Sequence, residues 1–353
     1  MKSIFIRTDA SPDIGVGHLM RCLTAADWLI KSQFASDVTF LCNYNLPEEL
    51  KTVIHEKGFD SAYIYNTNSG SFNTESDADQ SITYLQSKQA YWLIIDHYQI
   101  DISWETKVRP YVKRILVIDD LANRKHDCDV LLDQNISPNL CYRYIDLVPR
   151  TCQLLLGPKY LLLRPAFYSV IPTIKTKPKQ VLVNFGGSDP THEIEKVIQS
   201  IKKYGYCFKN LHFHIVAGPA NKRAGEIEKL CESIDQIIYY KEAPLEELLL
   251  QSDFAIGAGG ISLWERCALG VPSAVIVVAD NQAELANEAE GLGLIWNLGY
   301  HRDVNPESIA EFIQYLLASG MEFQQKSKKC LDYMKPLISQ KEHPIITTIK
   351  ENS

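Results

Sequence analysis

A histidine set just behind two glycines, Gly15-Val16-Gly17-His18, is the first group in this 353-residue chain with both the type and the placement for chemistry. It follows a β-like run from Ile4 to Arg7. It precedes apolar residues at Leu19, Cys22, Leu23, Ala26, Leu29 and Ile30, a three-and-four spacing that marks one buried helix face. A strand turning through glycine into a helix offers that helix's unpaired amides and positive dipole end to whatever lies above the sheet. An imidazole there could work as a base near neutral pH, or could only cap the turn that the glycines make. The spacing fits both.

Further polar groups fall where apolar runs stop. Trp92 to Ile95 leads into Asp96-His97-Tyr98, Ile115 to Ile118 into Asp119-Asp120, and Val130 to Leu132 into Asp133-Gln134-Asn135. In open α/β sheets ligands bind at the carboxyl ends of strands, so such endings mark a site, although aspartate also forms turns without further purpose. Later, Gln180 to Phe185 runs into Gly186-Gly187-Ser188-Asp189-Pro190, with Asp189 expected to cap a helix whose first residue is Pro190. Asp253 to Ile256 opens into Gly257-Ala258-Gly259-Gly260-Ile261-Ser262, with Glu265 one turn on. Three glycines let a backbone approach phosphate, and Glu265 could accept a ribose diol. Ser262 and Glu265 equally satisfy a capping box.

These groups need a scaffold of short strands alternating with helical patterns, the mark of parallel sheets covered on both faces. The reading places further strands at Val38 to Cys42, Ala62 to Tyr65, His212 to Val216, Ile237 to Tyr239 and Ser273 to Val278. It places helices at Leu46 to Lys57, Asp79 to Ser87, Asn221 to Cys231, Pro244 to Gln251, Pro306 to Ala318 and Met321 to Met334, with one more after Asp280 as cap. The stretch from Asn66 to Asp77 reads as a loop, and the tail from Lys341 to Ser353 as polar and frayed. The length suggests two domains. A proline-bearing polar stretch at 169–179 fits a linker between a first domain, 1–168, and a second, 180–340.

A net charge of −7 argues against nucleic acid as the main partner. No apolar run reaches the roughly 18 to 20 residues of a membrane span, and the N-terminus does not read as a signal peptide. The nine cysteines are scattered without a CxxC pair, which points to reduced thiols in a cytoplasm and away from a metal site. A monomer needing no cofactor, with a small molecule as its partner, is expected.

Taken in order, GxGHxxRC, IIDHY, a strand ending DD, LLLRPAFY, NFGGSD and GAGGISLWERCALGVP followed by DNQ resemble the UDP-2,4-diacetamido-2,4,6-trideoxy-β-L-altropyranose hydrolases of pseudaminic acid biosynthesis. These are relatives of the lipid II N-acetylglucosaminyltransferase. The resemblance runs from Arg7 to Gln282. It implies a GT-B-like α/β protein, with two Rossmann-type doubly wound parallel-sheet domains facing a cleft and the last helices crossing back to the first domain.

It also implies roles. His18 would be catalytic with Asp96 and His97 beside it. Gly15, Gly17, Arg21 and Tyr98 would complete the first domain's side, and Arg164 would lie on a crossing segment near the substrate. Gly187, Ser188 and Asp189 would form a phosphate-side loop. Gly259, Gly260, Ser262 and Glu265 would hold UDP, with Asn281 and Gln282 facing sugar or phosphate. The implied activity is metal-independent hydrolysis with inversion at the anomeric carbon. The rivals are a GT-B glycosyltransferase, in which His18 activates an acceptor hydroxyl, and a non-catalytic nucleotide-sugar-binding protein.

Overall fold

A computed structural model describes residues 2–11, 15–65, 72–340 and 342–353. The chain forms two compact units, 1–162 with 340–353, and 163–339. In unit 1, β1 (Lys2–Thr8), α1 (Gly17–Lys31), β2 (Ala35–Asn43), α2 (Glu48–Glu56), β3 (Asp60–Ile64), α3 (Thr74–Ser87) and β4 (Trp92–Asp96) alternate regularly. They are followed by α4 (Ile102–Val108), β5 (Arg114–Ile118), β6 (Val130–Asp133) and β7 (Gln153–Leu156).

All seven strands are parallel, in the order β3-β2-β1-β4-β5-β6-β7. The order reverses between β1 and β4, where Thr8 lies opposite Asp96. That is the switch point at which doubly wound sheets bind ligands. Strands β4, β5 and β6 are buried along most of their length, which explains their unbroken apolar runs.

Unit 2 repeats the design with β8 (Gln180–Asn184), α5 (Glu193–Tyr204), β9 (His212–Val216), α6 (Ala224–Cys231), β10 (Ile237–Tyr240), α7 (Leu245–Gln251) and β11 (Phe254–Ala258). It continues through α8 (Ile261–Ala268), β12 (Ser273–Val277), α9 (Ala283–Gly291), β13 (Ile295–Tyr300), α10 (Pro306–Ala318) and α11 (Gly320–Ile338). Its six parallel strands run β10-β9-β8-β11-β12-β13, with the switch point between β8 and β11. Two strands, β7 and β13, escaped the sequence reading. Gln153–Leu156 is only four residues long and Ile295–Tyr300 is interrupted by Asn297 and Gly299; both lie at sheet edges. The expected loop at Asn66 to Asp77 falls partly outside the described residues, and from Thr74 onward it is helix.

Two boundaries differ from expectation. Residues 163–168 belong to unit 2, because Phe167 is buried with Leu182, Leu249 and Leu269. The tail is ordered: α12 (Pro344–Glu351) belongs to unit 1, whereas α10 and α11 stay in unit 2. Ile345, Ile346 and Ile349 face the same apolar space as Leu29, Ile94, Leu116 and Leu132. The buried His343 Nε2 lies 2.8 Å from the Leu161 carbonyl, and Trp92 Nε1 donates to Ser353 Oγ at 3.0 Å. Three isoleucines at helical spacing fill one face of an otherwise polar segment, so composition concealed its amphipathic pattern.

Candidate active site

At the switch point of unit 1 the turn after β1 delivers His18 within the first turn of α1. Gly15 takes a left-handed conformation (φ 82°) in a turn closed by its amide on the Ser11 carbonyl, 2.7 Å away, and Gly17 begins the helix. The N-cap residue, Val16, supplies no side-chain cap, and no acid lies in the helix's first turn. His18 is 8% exposed, and its Nδ1 lies 2.6 Å from Asp96 Oδ1. Arg21, one turn along the same face, grips that carboxylate with Nε on Oδ2 and Nη2 on Oδ1, each at 2.8 Å. Burial alone would raise the Asp96 carboxyl, but Arg21 and His18 overcome it and hold it well below the usual carboxylate range.

An ionised Asp96 accepts the Nδ1 proton, so the lone pair sits on Nε2. Among the described residues none bonds to that Nε2. Tyr98 packs edge-on against the imidazole with ring centres 4.4 Å apart, and its hydroxyl donates to Asp120 Oδ1 at 2.9 Å. Asp120 also faces Arg21 Nη1 at 3.4 Å. The first of the paired aspartates is a turn former: Asp119 accepts the Ala122 amide and pairs with Arg124.

His97, expected beside His18 as a catalytic group, serves a different network. Its Nδ1 accepts the Gln99 amide at 3.1 Å, so its Nε2 carries the proton and points at Asp9 Oδ2, 3.0 Å away. Burial, only partly offset by Asp9, lowers its pKa. With both ring nitrogens engaged, His97 is a buttress. Asp9 in turn pairs with Arg7, which also grips Asp77, and Asp77 accepts the Trp104 indole proton. Arg7, Asp9 and Asp77 were missed in the sequence. The available signal was an arginine directly after the apolar run Ile4 to Ile6.

Asp133, at the end of β6, accepts Tyr144 Oη at 3.0 Å and pairs with Arg143 at 3.1 Å. Burial still pushes its carboxyl up to about 6.

In unit 2 two turns leave the switch point. The first follows β8 through Gly186, Gly187, Ser188 and Asp189. Its carbonyls crowd Gly218, where a Cβ would come within 2.6 Å of the oxygens of Gly186 and Gly187. The helix does not begin at Pro190, as expected, but at Glu193. Asp189, itself left-handed, reaches forward so that its two oxygens accept the amides of Glu193 and Ile194 at 3.0 Å each. This helix start therefore already holds an anion. Buried Glu193 and Glu195 add two more, paired to Lys196 and Arg223. Burial pushes the Asp189 carboxyl up to about 6.

The second turn follows β11 through Gly259 and Gly260 into α8. Gly260 is the N-cap, with no side-chain cap and no acid in the first turn. The capping-box reading of Ser262 and Glu265 does not hold, because Ser262 lies inside the helix. Glu265 Oε1 instead accepts Arg164 Nε at 2.8 Å, while Arg164 also pairs with Glu246 at 2.5 Å. Burial raises the Glu265 carboxyl against the pull of Arg164. Gln282, expected to face ligand, uses its Oε1 to accept the Gly259 and Val278 amides at 3.2 and 3.3 Å, tying the turn down. Asn281 is exposed beside it. Asp280 is not a cap; a short 3-10 turn over Asp280–Gln282 leads into α9. Among the described residues no group of three or more His, Cys, Asp or Glu could hold a metal ion, and no helix is long and apolar enough to cross a membrane.

Comparison with known proteins follows this division. The glycosyltransferase family 28 C-terminal domain matches residues 181–341. The structure superposes on MurG of Acinetobacter baumannii with a TM-score of 0.62 at 12% identity, covering 94% of this chain and 95% of that one. The fold is GT-B.

The chain is 26% identical to an uncharacterized protein of Methanocaldococcus jannaschii over 80% of its length. It is 30% identical to the spore coat polysaccharide biosynthesis protein SpsG of Bacillus subtilis over 46%. These matches span 56% and 49% of the two relatives, about half their length. A third relative, the UDP-2,4-diacetamido-2,4,6-trideoxy-β-L-altropyranose hydrolase of Campylobacter jejuni, is 31% identical over 72% of this chain and 90% of its own. Likeness of that extent, on a GT-B fold and with the motifs of both turns in place, makes the chain a member of the UDP-2,4-diacetamido-2,4,6-trideoxy-β-L-altropyranose hydrolase family.

Proposed function

We propose that the protein hydrolyses a UDP-linked 2,4-diacetamido-2,4,6-trideoxy sugar of the altropyranose type at its anomeric C–O bond, giving free sugar and UDP, as a step in pseudaminic acid biosynthesis. The observation that carries this reading is the Asp96-held imidazole of His18, with its Nδ1 committed and its Nε2 unengaged by any described residue. That is the state of a general base.

A sugar bonded to diphosphate already has a good leaving group, so the reaction needs little acid help. It needs a water deprotonated on the face opposite the departing UDP, and donors for the charge that develops on the diphosphate. His18 Nε2 takes the water proton as its oxygen bonds to the anomeric carbon, and the C–O electrons leave with the diphosphate. The uncapped amides of α8 receive that charge, and Glu265 takes the ribose hydroxyls. Attack opposite the leaving group inverts the anomeric centre. Arg21 and Tyr98 fix the Asp96–His18 pair. Asp96 is thus a positioning group for the base.

The test is incubation of the pure protein with the UDP-diacetamido-trideoxy-altrose in ¹⁸O-water, without acceptor and with chelator present. Release of UDP, with ¹⁸O in the sugar hydroxyl and an inverted anomer in the first NMR spectra, is the expected result. Label in the UDP phosphate, or no turnover, overturns it. The second reading, a glycosyltransferase, is favoured by the family 28 match and by the likeness to MurG, and it predicts turnover only when an acceptor is added.

A further inference from the structure

Three arginines are buried among the described residues, and one of them differs from the other two. Arg7 pairs with Asp9 and Asp77, and Arg21 with Asp96 and Asp120. Arg266, on α8 and 3% exposed, has no carboxylate within ion-pair distance among the described residues. Its neighbour Glu265 is engaged by Arg164 instead.

The Arg266 guanidinium is spent on the turn itself. Nη2 donates to the Ala258 carbonyl at 2.8 Å, Nη1 to Ser262 Oγ at 3.2 Å, and Nε has no partner among the described residues. Gly257 is what admits it: a Cβ there would stand 2.9 Å from Nη1 and 2.4 Å from the Asn184 carbonyl. Burying a cation without a counter-ion is costly, and the cost falls when an anion settles nearby. Burial accordingly lowers this arginine's pKa to about 10. The alternative anion seat in unit 2, the start of α5, is filled by Asp189 and flanked by buried Glu193 and Glu195.

We propose that Arg266 is the buried counter-charge of a nucleoside diphosphate bound at the β11–α8 turn, a positioning residue that sets this turn's preference for diphosphate over an uncharged nucleoside. The inference rests on the reading that unit 2 takes a UDP-linked sugar. Arg266 acts through the turn, holding its carbonyl side so that the free amides face outward, and it supplies the positive potential that a neutral ligand does not use.

The experiment is calorimetric titration of the full chain with UDP, inorganic pyrophosphate and uridine, for wild type, Arg266→Met and Arg266→Lys. Arg266→Met is expected to weaken UDP and pyrophosphate by about 30- to 100-fold and uridine by less than about 3-fold, and Arg266→Lys to restore most of the loss. Equal weakening of UDP and uridine, or no weakening of either, overturns the proposal. If Arg266→Met does not fold, Arg266→Lys decides: a UDP-to-uridine ratio near wild type supports the charge, and a collapsed ratio overturns it. A wild type that binds UDP but turns over no sugar nucleotide defeats the hydrolase reading and leaves this one standing. A wild type that binds neither UDP nor pyrophosphate overturns both.

Discussion

Among the described residues, every buried arginine at the switch point of unit 1 meets a carboxylate, whereas at the switch point of unit 2 Arg266 meets none. The two sheets share one strand order, and each brings a glycine turn to the place where that order reverses. Unit 1 spends its charges internally: Arg21 neutralises Asp96, Asp96 orients His18, and a second network through Arg7, Asp9 and Asp77 braces the strand end beneath. Unit 2 leaves one helix start uncapped over an unpaired guanidinium and closes the other with Asp189. The first arrangement suits a rigid base that must keep one tautomer. The second suits a seat that gains stability when an anion arrives.

Four substitutions break or sharpen this contrast, beginning with the largest expected effect. His18→Ala removes the proposed base: turnover should fall by about 10³- to 10⁴-fold in UDP-release assays while UDP affinity stays within about 2-fold. Near-normal turnover would remove His18 from the chemistry. Asp96→Asn lets the ring take the other tautomer and strips Arg21 of its main partner. Turnover should drop by about 10²- to 10³-fold, and denaturant titration should register a loss of about 3–5 kcal/mol. Retained stability would mean that the unit 1 network is not as interlocked as its geometry implies.

Glu265→Gln tests unit 2. It keeps the shape, weakens the grip on Arg164 and on a ribose diol, and should raise the Kd for UDP by about tenfold, with His18-dependent steps unaffected once substrate saturates. An unchanged Kd would separate Glu265 from the nucleotide.

The smallest effect is on stability against pH. Asp189 has a folded-state pKa of about 6, raised by burial above the ordinary value near 3.9. The folded protein therefore binds this proton first. Stability is reduced by ionisation above pH 6 and recovers as pH falls toward 4, by up to about 3 kcal/mol. Asparagine keeps one of the two amide bonds that the carboxylate accepts and never ionises, so Asp189→Asn should flatten that slope by about 2–4 °C in Tm between pH 7 and pH 5. The depressed Asp96 carboxyl has the opposite sign: its contribution is present above about pH 4 and is lost on further acidification.

Much of the scaffold was legible because its signals are local. Four apolar residues before Asp96 read as a buried strand, and they are one. The glycines before His18 and Ile261 read as strand-to-helix turns, and both turns lie at switch points. Strands β7 and β13 and the tail were not legible, since β7 is only four residues long, β13 is interrupted by Asn297 and Gly299, and α12 hides three buried isoleucines among polar neighbours. Asp189 was read as the N-cap of a helix starting at Pro190, but the N-cap is His192 and the helix starts at Glu193, with Asp189 serving its first amides from further back. A carboxylate can span three residues to reach the amides of Glu193 and Ile194, and spacing rules do not anticipate this.

What the sequence determined by itself was the alternation of strands and helices, the two glycine turns and the pool of acids at strand ends, because periodicity and turn chemistry act over a few residues. Which acid serves which base was decided only in three dimensions. His18 and Asp96 are 78 residues apart and meet because β1 and β4 are neighbours in a sheet whose order reverses between them. The same kind of folding sent His97 to Asp9, gave Glu265 to Arg164 and left Arg266 on a carbonyl and a hydroxyl, with no carboxylate among the described residues. Charge pairing depends on distance and burial, and neither exists until the chain has folded.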